Sequence, residues 1–175
     1  MERKFTQSMR GKTVYWIHHE QDKPCIVFVH GLTANHRLFD GQLEYFKQRY
    51  TVIVWDVPLG IPNGFWPLSV SAPQGYDNMR MMLTTSSKEQ ICQQIEAAYK
   101  DVFTRQQPVQ FQCPALLLDG DKDRIGKAAY YNQLWAQHSG YPLQIVANAG
   151  HNANADQPQQ VNQYIGAFLQ RQGIL

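Results

Sequence analysis

Short apolar runs recur along this chain with helical patterns between them, and the alternation predicts a fold. Thr13 to His18 is rich in β-branched and aromatic residues, and Cys25 to Val29 is a continuous apolar run ending at His30-Gly31. Thr51 to Trp55, Ala115 to Leu118 and Leu143 to Val146 follow. Runs this short, apolar on both faces, suit a parallel sheet with helices on either side. Phe39, Leu43, Phe46 and Tyr50 fall at spacings of four, three and four, one face of a helix. Ser87-Lys88-Glu89-Gln90 is a capping-box pattern opening a helix with Ile91, Ile95, Tyr99, Val102 and Phe103 as its stripe. A third stripe, Ala128, Tyr131, Leu134 and Trp135, stops at Ser139-Gly140. The last, Val161, Tyr164, Ile165, Phe168 and Leu169, begins near Pro158, where proline suits a first turn, and ends at Gly173. The expectation is one α/β domain over residues 1–175 with a mainly parallel sheet.

One stretch breaks the pattern. Between Asp56 and the turn at Ala72-Pro73 lie Pro58, Gly60, Pro62, Gly64 and Pro67, with no helical period. Only the 11 residues 57–67 separate Asp56 from a possible short strand at Leu68-Ser69-Val70-Ser71. A parallel crossover takes about a dozen residues or more, usually with a helix. An element of the alternating pattern is therefore expected to be missing here.

Charge and composition narrow the function classes. The net charge is +2, with Lys and Arg scattered, so no basic stripe for nucleic acid is present. No apolar run approaches the roughly 20 residues that span a bilayer, and no membrane partner is expected. Met1-Glu2-Arg3-Lys4 is not followed by a signal-type apolar stretch, so a cytoplasmic location is the expectation. Cys25, Cys92 and Cys113 show no Cys-x-x-Cys spacing and predict reduced, mostly buried thiols without a metal.

The chemistry-bearing residues sit where apolar runs end. Val29-His30-Gly31-Leu32 closes one, Asp119-Gly120-Asp121-Lys122-Asp123 another and Gly150-His151-Asn152 a third. A histidine in a loop directly after a strand can accept a proton near neutral pH. Asp123 precedes it by 28 residues, room for a helix and a strand between them. Asp121 is the competing acid in the same loop. Gly31 is placed to let the chain leave its strand at a tight turn. Nowhere does the chain carry Gly-x-Ser-x-Gly, the turn that presents a nucleophilic serine.

In this order the landmarks resemble the α/β-hydrolase superfamily, above all its small bacterial members with Asp-x-Pro-Leu after the fourth strand. Here that segment is Trp55-Asp56-Val57-Pro58-Leu59-Gly60. The likeness covers Thr13 to Leu59 and about Tyr76 to Leu169. It implies hydrolysis of carboxylic esters or similar small acyl compounds by a Ser-His-Asp mechanism. His151 would be the base, Asp123 the acid that orients it, and His30-Gly31-Leu32 the oxyanion segment, the Leu32 amide donating. It implies no cofactor or metal, and a small-molecule acyl substrate.

Relatives follow that aspartate with His-Gly-x-Ser, a helix, the nucleophile strand and the elbow. This chain passes instead to Ile61-Pro62-Asn63-Gly64 and Ser69-Val70-Ser71-Ala72-Pro73. A second shortening follows Pro73, leaving about 74–108 as a remnant of a helical cap. Ser71 is a weak candidate nucleophile, because it lacks flanking glycines and a proline replaces the helix that should follow. Two readings stay open: a serine-type hydrolase, or a catalytically inactive, internally shortened relative that binds ligands or has no selected function. Losing a central strand would expose sheet edges and favour self-association. No serine is expected to complete the site, and ester hydrolysis is expected to be slow or absent and unchanged by Ser71→Ala.

Overall fold

A computed structural model describes residues 1–8, 11–31, 34–56, 89, 92, 96, 111–125 and 127–174. They fall into two compact units, Met1–Gly64 with Asn78–Gln106, and Phe65–Asp77 with Gln107–Leu175. The possible strand at Leu68–Ser71, the proline-rich stretch before it and Ser71 itself lie outside the described residues.

The first unit holds a four-stranded sheet in the order β1-β2-β4-β3. Its strands are β1 (Glu2–Ser8), β2 (Gly11–His18), β3 (Cys25–Phe28) and β4 (Thr51–Asp56). β1 pairs antiparallel with β2 and β2 antiparallel with β4, while β3 and β4 run parallel. The sheet is thus mixed, and the expectation of a mainly parallel one is corrected. Two residues separate β1 from β2, and so short a link permits only antiparallel pairing. β1 carries no alternation of apolar and polar positions. It is held by its ladder and by Arg3, whose guanidinium lies 5.9 Å from the Trp16 ring directly opposite.

The crossover from β3 to β4 carries a 3-10 turn at His36–Phe39 and helix α1 (Asp40–Phe46). Asn35 opens the turn, its side chain accepting a hydrogen bond from the Arg37 N–H at 2.9 Å. The face that goes inside is Leu38, Gln42, Phe46 and Tyr50, at spacings of four. Phe39 and Leu43 stay half-buried beside it. Phe46, 1% exposed, stacks near Phe28 and Tyr50 with ring centroids 6.2 and 5.7 Å away. Phe46→Ala should therefore lower unfolding stability by about 3–5 kcal/mol, read as a shifted urea midpoint at unchanged slope.

The second unit holds β5 (Leu117–Gly120) paired in parallel with β6 (Leu143–Val146). Helices α2 (Ala128–Ser139), α3 (Ala153–Asp156) and α4 (Pro158–Arg171) complete it. Val146, Ala149, Ala153 and Val161 form the core, with Leu118, Tyr164 and Ile165 packed against it. α2 ends where Gly140 takes φ 73° and its N–H returns to the Ala136 carbonyl at 2.9 Å. The stripe expected on α2 is corrected at one position. Tyr131 is 59% exposed and packs edge-on against Tyr130, while Asn132 is half-buried.

Two more expectations change. All three thiols are free, but all three are exposed rather than buried. Cys25 opens β3 on its outward side, Cys113 precedes Pro114 in a loop, and Cys92 is helical on one face with exposed Glu89 and Glu96. Gly31 takes no positive φ, and a Cβ there would meet nothing within 4 Å, so no left-handed turn requires it. Among the described residues no helix is long and apolar enough to cross a membrane.

Candidate active site

Asp123 and His151 come together in the second unit. The β5–β6 ladder runs Leu117↔Leu143 to Gly120↔Val146, so both strands stop at the same level and the two following loops lie side by side. Those loops are stitched by backbone. Asp121 N–H bonds the Val146 carbonyl at 3.0 Å and Lys122 N–H bonds the Ala149 carbonyl at 2.8 Å. Gly120 is required by that approach, since a Cβ on it would collide with the carbonyls of Ala149 and Gly150.

The acids divide the labour. Asp121 turns to the neighbouring loop, where its Oδ1 accepts from the Ala149 N–H at 3.1 Å. Backbone N–H groups of Asn148 and Ala149 hold its carboxyl below the usual carboxylate range. Asp123 points to the histidine. Its Oδ2 lies 2.8 Å from His151 Nδ1, and its Oδ1 accepts from the Ile125 N–H at 2.8 Å. A carboxylate only accepts, so this contact puts a proton on Nδ1 and leaves Nε2 as the accepting nitrogen of the neutral ring. The Asp123 side chain is 2% exposed and that of His151 43% exposed. A buried acid thus fixes the tautomer and orientation of a ring open to solvent. Asp123 is the ring's one hydrogen-bond partner among the described residues.

Two supporting residues had no signal of their own in the sequence. Asp156, 7% exposed, accepts the Gly150 N–H at 2.7 Å and so pins the residue before His151. Gln160 accepts the Ala147 N–H at 2.7 Å. The only available hint was an acid two residues before Pro158, a common helix-start arrangement. Asp119, which opens the acidic segment in the sequence, lies inside β5 and is 4% exposed. Burial pushes its carboxyl above the usual range, and the charge of Asp123 pushes it further the same way.

The segment expected to supply an oxyanion donor, His30-Gly31-Leu32, belongs to the first unit. His30 is 6% exposed, and its Nδ1–H donates to the Gly31 carbonyl at 2.8 Å. Leu32, whose amide was expected to be the donor, lies outside the described residues. Close by, His36 is tied to Asp56. Its backbone N–H reaches Oδ1 at 2.7 Å and its Nδ1 lies 2.9 and 3.0 Å from Oδ1 and Oδ2. The His36 ring stacks on Trp16 with centroids 3.6 Å apart. Burial alone would raise Asp56, but the two hydrogen bonds from His36, with the charges of His36 and His30, outweigh it and hold the carboxyl low. A group held low in the folded state contributes stability above its unfolded value and loses it as pH falls through the folded one. Part of the acid sensitivity of this protein should therefore vanish in Asp56→Asn, seen as a flatter plot of urea midpoint against pH below the ordinary carboxylate range.

Among the described residues no three His, Cys, Asp or Glu side chains are grouped to hold a metal ion.

Solved structures match this chain over nearly its whole length, and they are α/β-hydrolases. An esterase from Thermogutta terrifontis shares 13% identity at a TM-score of 0.74, with 98% of this chain and 99% of that one covered. An enol-lactonase from Burkholderia xenovorans LB400 shares 13% identity at a TM-score of 0.73, covering 95% and 100%. A carboxylesterase from Bacillus subtilis shares 14% at a TM-score of 0.59, covering 96% and 91%. No protein-family model and no curated protein sequence matches the chain. The chain has the α/β-hydrolase fold.

Proposed function

We propose that this protein acts on carboxylic esters or similar small acyl compounds, with His151 as general base and Asp123 as the acid that orients it. The observation that carries the reading is the 2.8 Å contact from a buried carboxylate to an exposed imidazole on adjoining strand-end loops. Such a pair leaves Nε2 ready to take a proton from a hydroxyl or a water.

The chain holds no Gly-x-Ser-x-Gly, the motif whose strained turn presents a nucleophilic serine to such a nitrogen. Its hydrolysis is accordingly slow and carried by the base itself, with water in place of an acyl-enzyme serine. Hydrolysis of a p-nitrophenyl ester of a short acid tests this: it should fall to background in His151→Ala and stay unchanged in Ser71→Ala. The missing motif also favours a second reading, a catalytically inactive relative that binds acyl compounds. Rates equal in the wild type and His151→Ala, with saturable ester binding retained, would select it.

A further inference from the structure

We propose that Asp119 is a positioning residue that holds the one proton of a buried carboxyl pair, donating it from Oδ2 to Asp123 so that a single negative charge faces His151. This deepens the reading of Asp123 as the orienting acid and rests on it.

The geometry begins with a strand position that should be apolar. Asp119 lies in β5 opposite Ile145, is 4% exposed, and stands between half-buried Leu118 and buried Gly120. A buried carboxyl is stable only when its oxygens are partnered or when it is neutral. The Asn132 side chain on α2 and the Gly120 N–H both donate to this carboxyl. Even so, its Oδ2 is buried without a donor among the described residues. The neighbour in hydrogen-bonding range is the Asp123 carboxyl, itself an acceptor whose side chain is 2% exposed.

Two acceptors in contact make a bond only if one carries a proton. The partners decide which one. Both Asp123 oxygens already accept an N–H, from Ile125 on Oδ1 and from His151 on Oδ2, whereas Asp119 Oδ2 receives none among the described residues. At Asp119 burial and the charge of Asp123 favour the neutral form, and they outweigh the Asn132 and Gly120 hydrogen bonds, which favour the ionised one. Other charges near the loop point elsewhere: Asp121 is bonded to the Ala149 N–H, and Lys122 Nζ to Asn148 Oδ1 at 2.9 Å. The result is a network in which Asn132 donates to Asp119, Asp119 donates to Asp123, and the His151 N–H donates to Asp123 from the other side. The third hydrogen bond fixes the Asp123 rotamer and tempers the pull of its charge on His151.

The test needs no substrate, so an absence of ester hydrolysis leaves it standing, and its own failure leaves the hydrolase reading standing. The carboxyl-carbon NMR signal of Asp119 in the wild-type protein is followed against pH, and the His151 ring protons are followed in wild type, Asp119→Asn and Asp119→Leu. The Asp119 carbon should hold the protonated position at pH 6, where a free aspartate is ionised. Asp119→Asn keeps a donor and should leave the midpoint of the His151 titration within about 0.3 pH unit of wild type. Asp119→Leu removes the donor without opening space and should raise that midpoint by roughly 0.5–1 unit. An ionised Asp119 at pH 6 would overturn the proposal. So would a midpoint lowered by about one unit in Asp119→Asn, the signature of deleting a second negative charge. The first two measurements decide the matter even if Asp119→Leu fails to fold.

Discussion

Gly120→Ala should cost about 3 kcal/mol or more of stability and abolish the Asp123–His151 contact, although alanine adds one carbon. That carbon would be driven into two backbone carbonyls, those of Ala149 and Gly150, and neither can swing aside as a side-chain tip would. The loop they belong to is fixed from several sides. The Lys122 N–H holds the Ala149 carbonyl, and Asp121 and Asp156 accept the N–H groups of Ala149 and Gly150. Making room therefore breaks bonds on both loops and carries His151 away from its acid. The other glycines set the scale. Gly140→Ala meets no atom within 4 Å but must adopt φ 73°, a cost of about 1–2 kcal/mol. Gly31→Ala meets neither problem and should be close to neutral. Urea midpoints of the three variants should rank Gly120→Ala far below Gly140→Ala, with Gly31→Ala near wild type. The His151 ring-proton signals should lose their native positions in Gly120→Ala alone.

The second large effect concerns the acid. Asp123→Asn should reduce ester hydrolysis as severely as His151→Ala, by about 10²-fold or more where the starting rate allows it. The amide is isosteric, so the fold survives, but its NH₂ group and the imidazole N–H can no longer pair as donor and carboxylate. Turning the carboxamide or the ring to recover one hydrogen bond presents the wrong tautomer at Nε2. Asp121→Asn is the control. Its Oδ1 can still accept the Ala149 N–H, so activity should persist with a small loss of stability. A hydrolysis rate lowered equally by both variants would assign the acid's role to neither.

How much of this was legible in the sequence depended on whether a residue's partner was local or distant. The strands ending at Phe28, Asp56 and Val146 and the helices α2 and α4 follow from apolar periodicity, which burial imposes directly, whereas the short α3 leaves no such period. β1 escaped because its stability lies in ladder bonds and a cation over Trp16, neither of which leaves a periodic trace. The antiparallel half of the sheet escaped with it. β5 ends two residues later than the apolar run suggested, since pairing with β6 carries the ladder on through Asp119 and Gly120. On α2 the inward position went to Asn132 in place of Tyr131, because a buried carboxyl needs a donor more than an aromatic ring needs cover. At the site, residue types and spacing singled out Asp123 and His151, and the structure brings them to 2.8 Å. Asp156 and Asp119 could not be seen, because their partners are a backbone N–H and another acid, known only once the chain is folded.

Asp123 and His151 form an acid–base pair in working geometry, and among the described residues no serine bonds the ring. Labelling the folded protein with a fluorophosphonate probe, followed by peptide mapping, decides whether a serine completes that pair. The probe reacts stoichiometrically only with a serine activated by a neighbouring base. The expected result is no stoichiometric adduct on any serine, Ser71 included, together with slow ester hydrolysis that disappears in His151→Ala. A full equivalent of label on Ser71, abolished by His151→Ala, would contradict it.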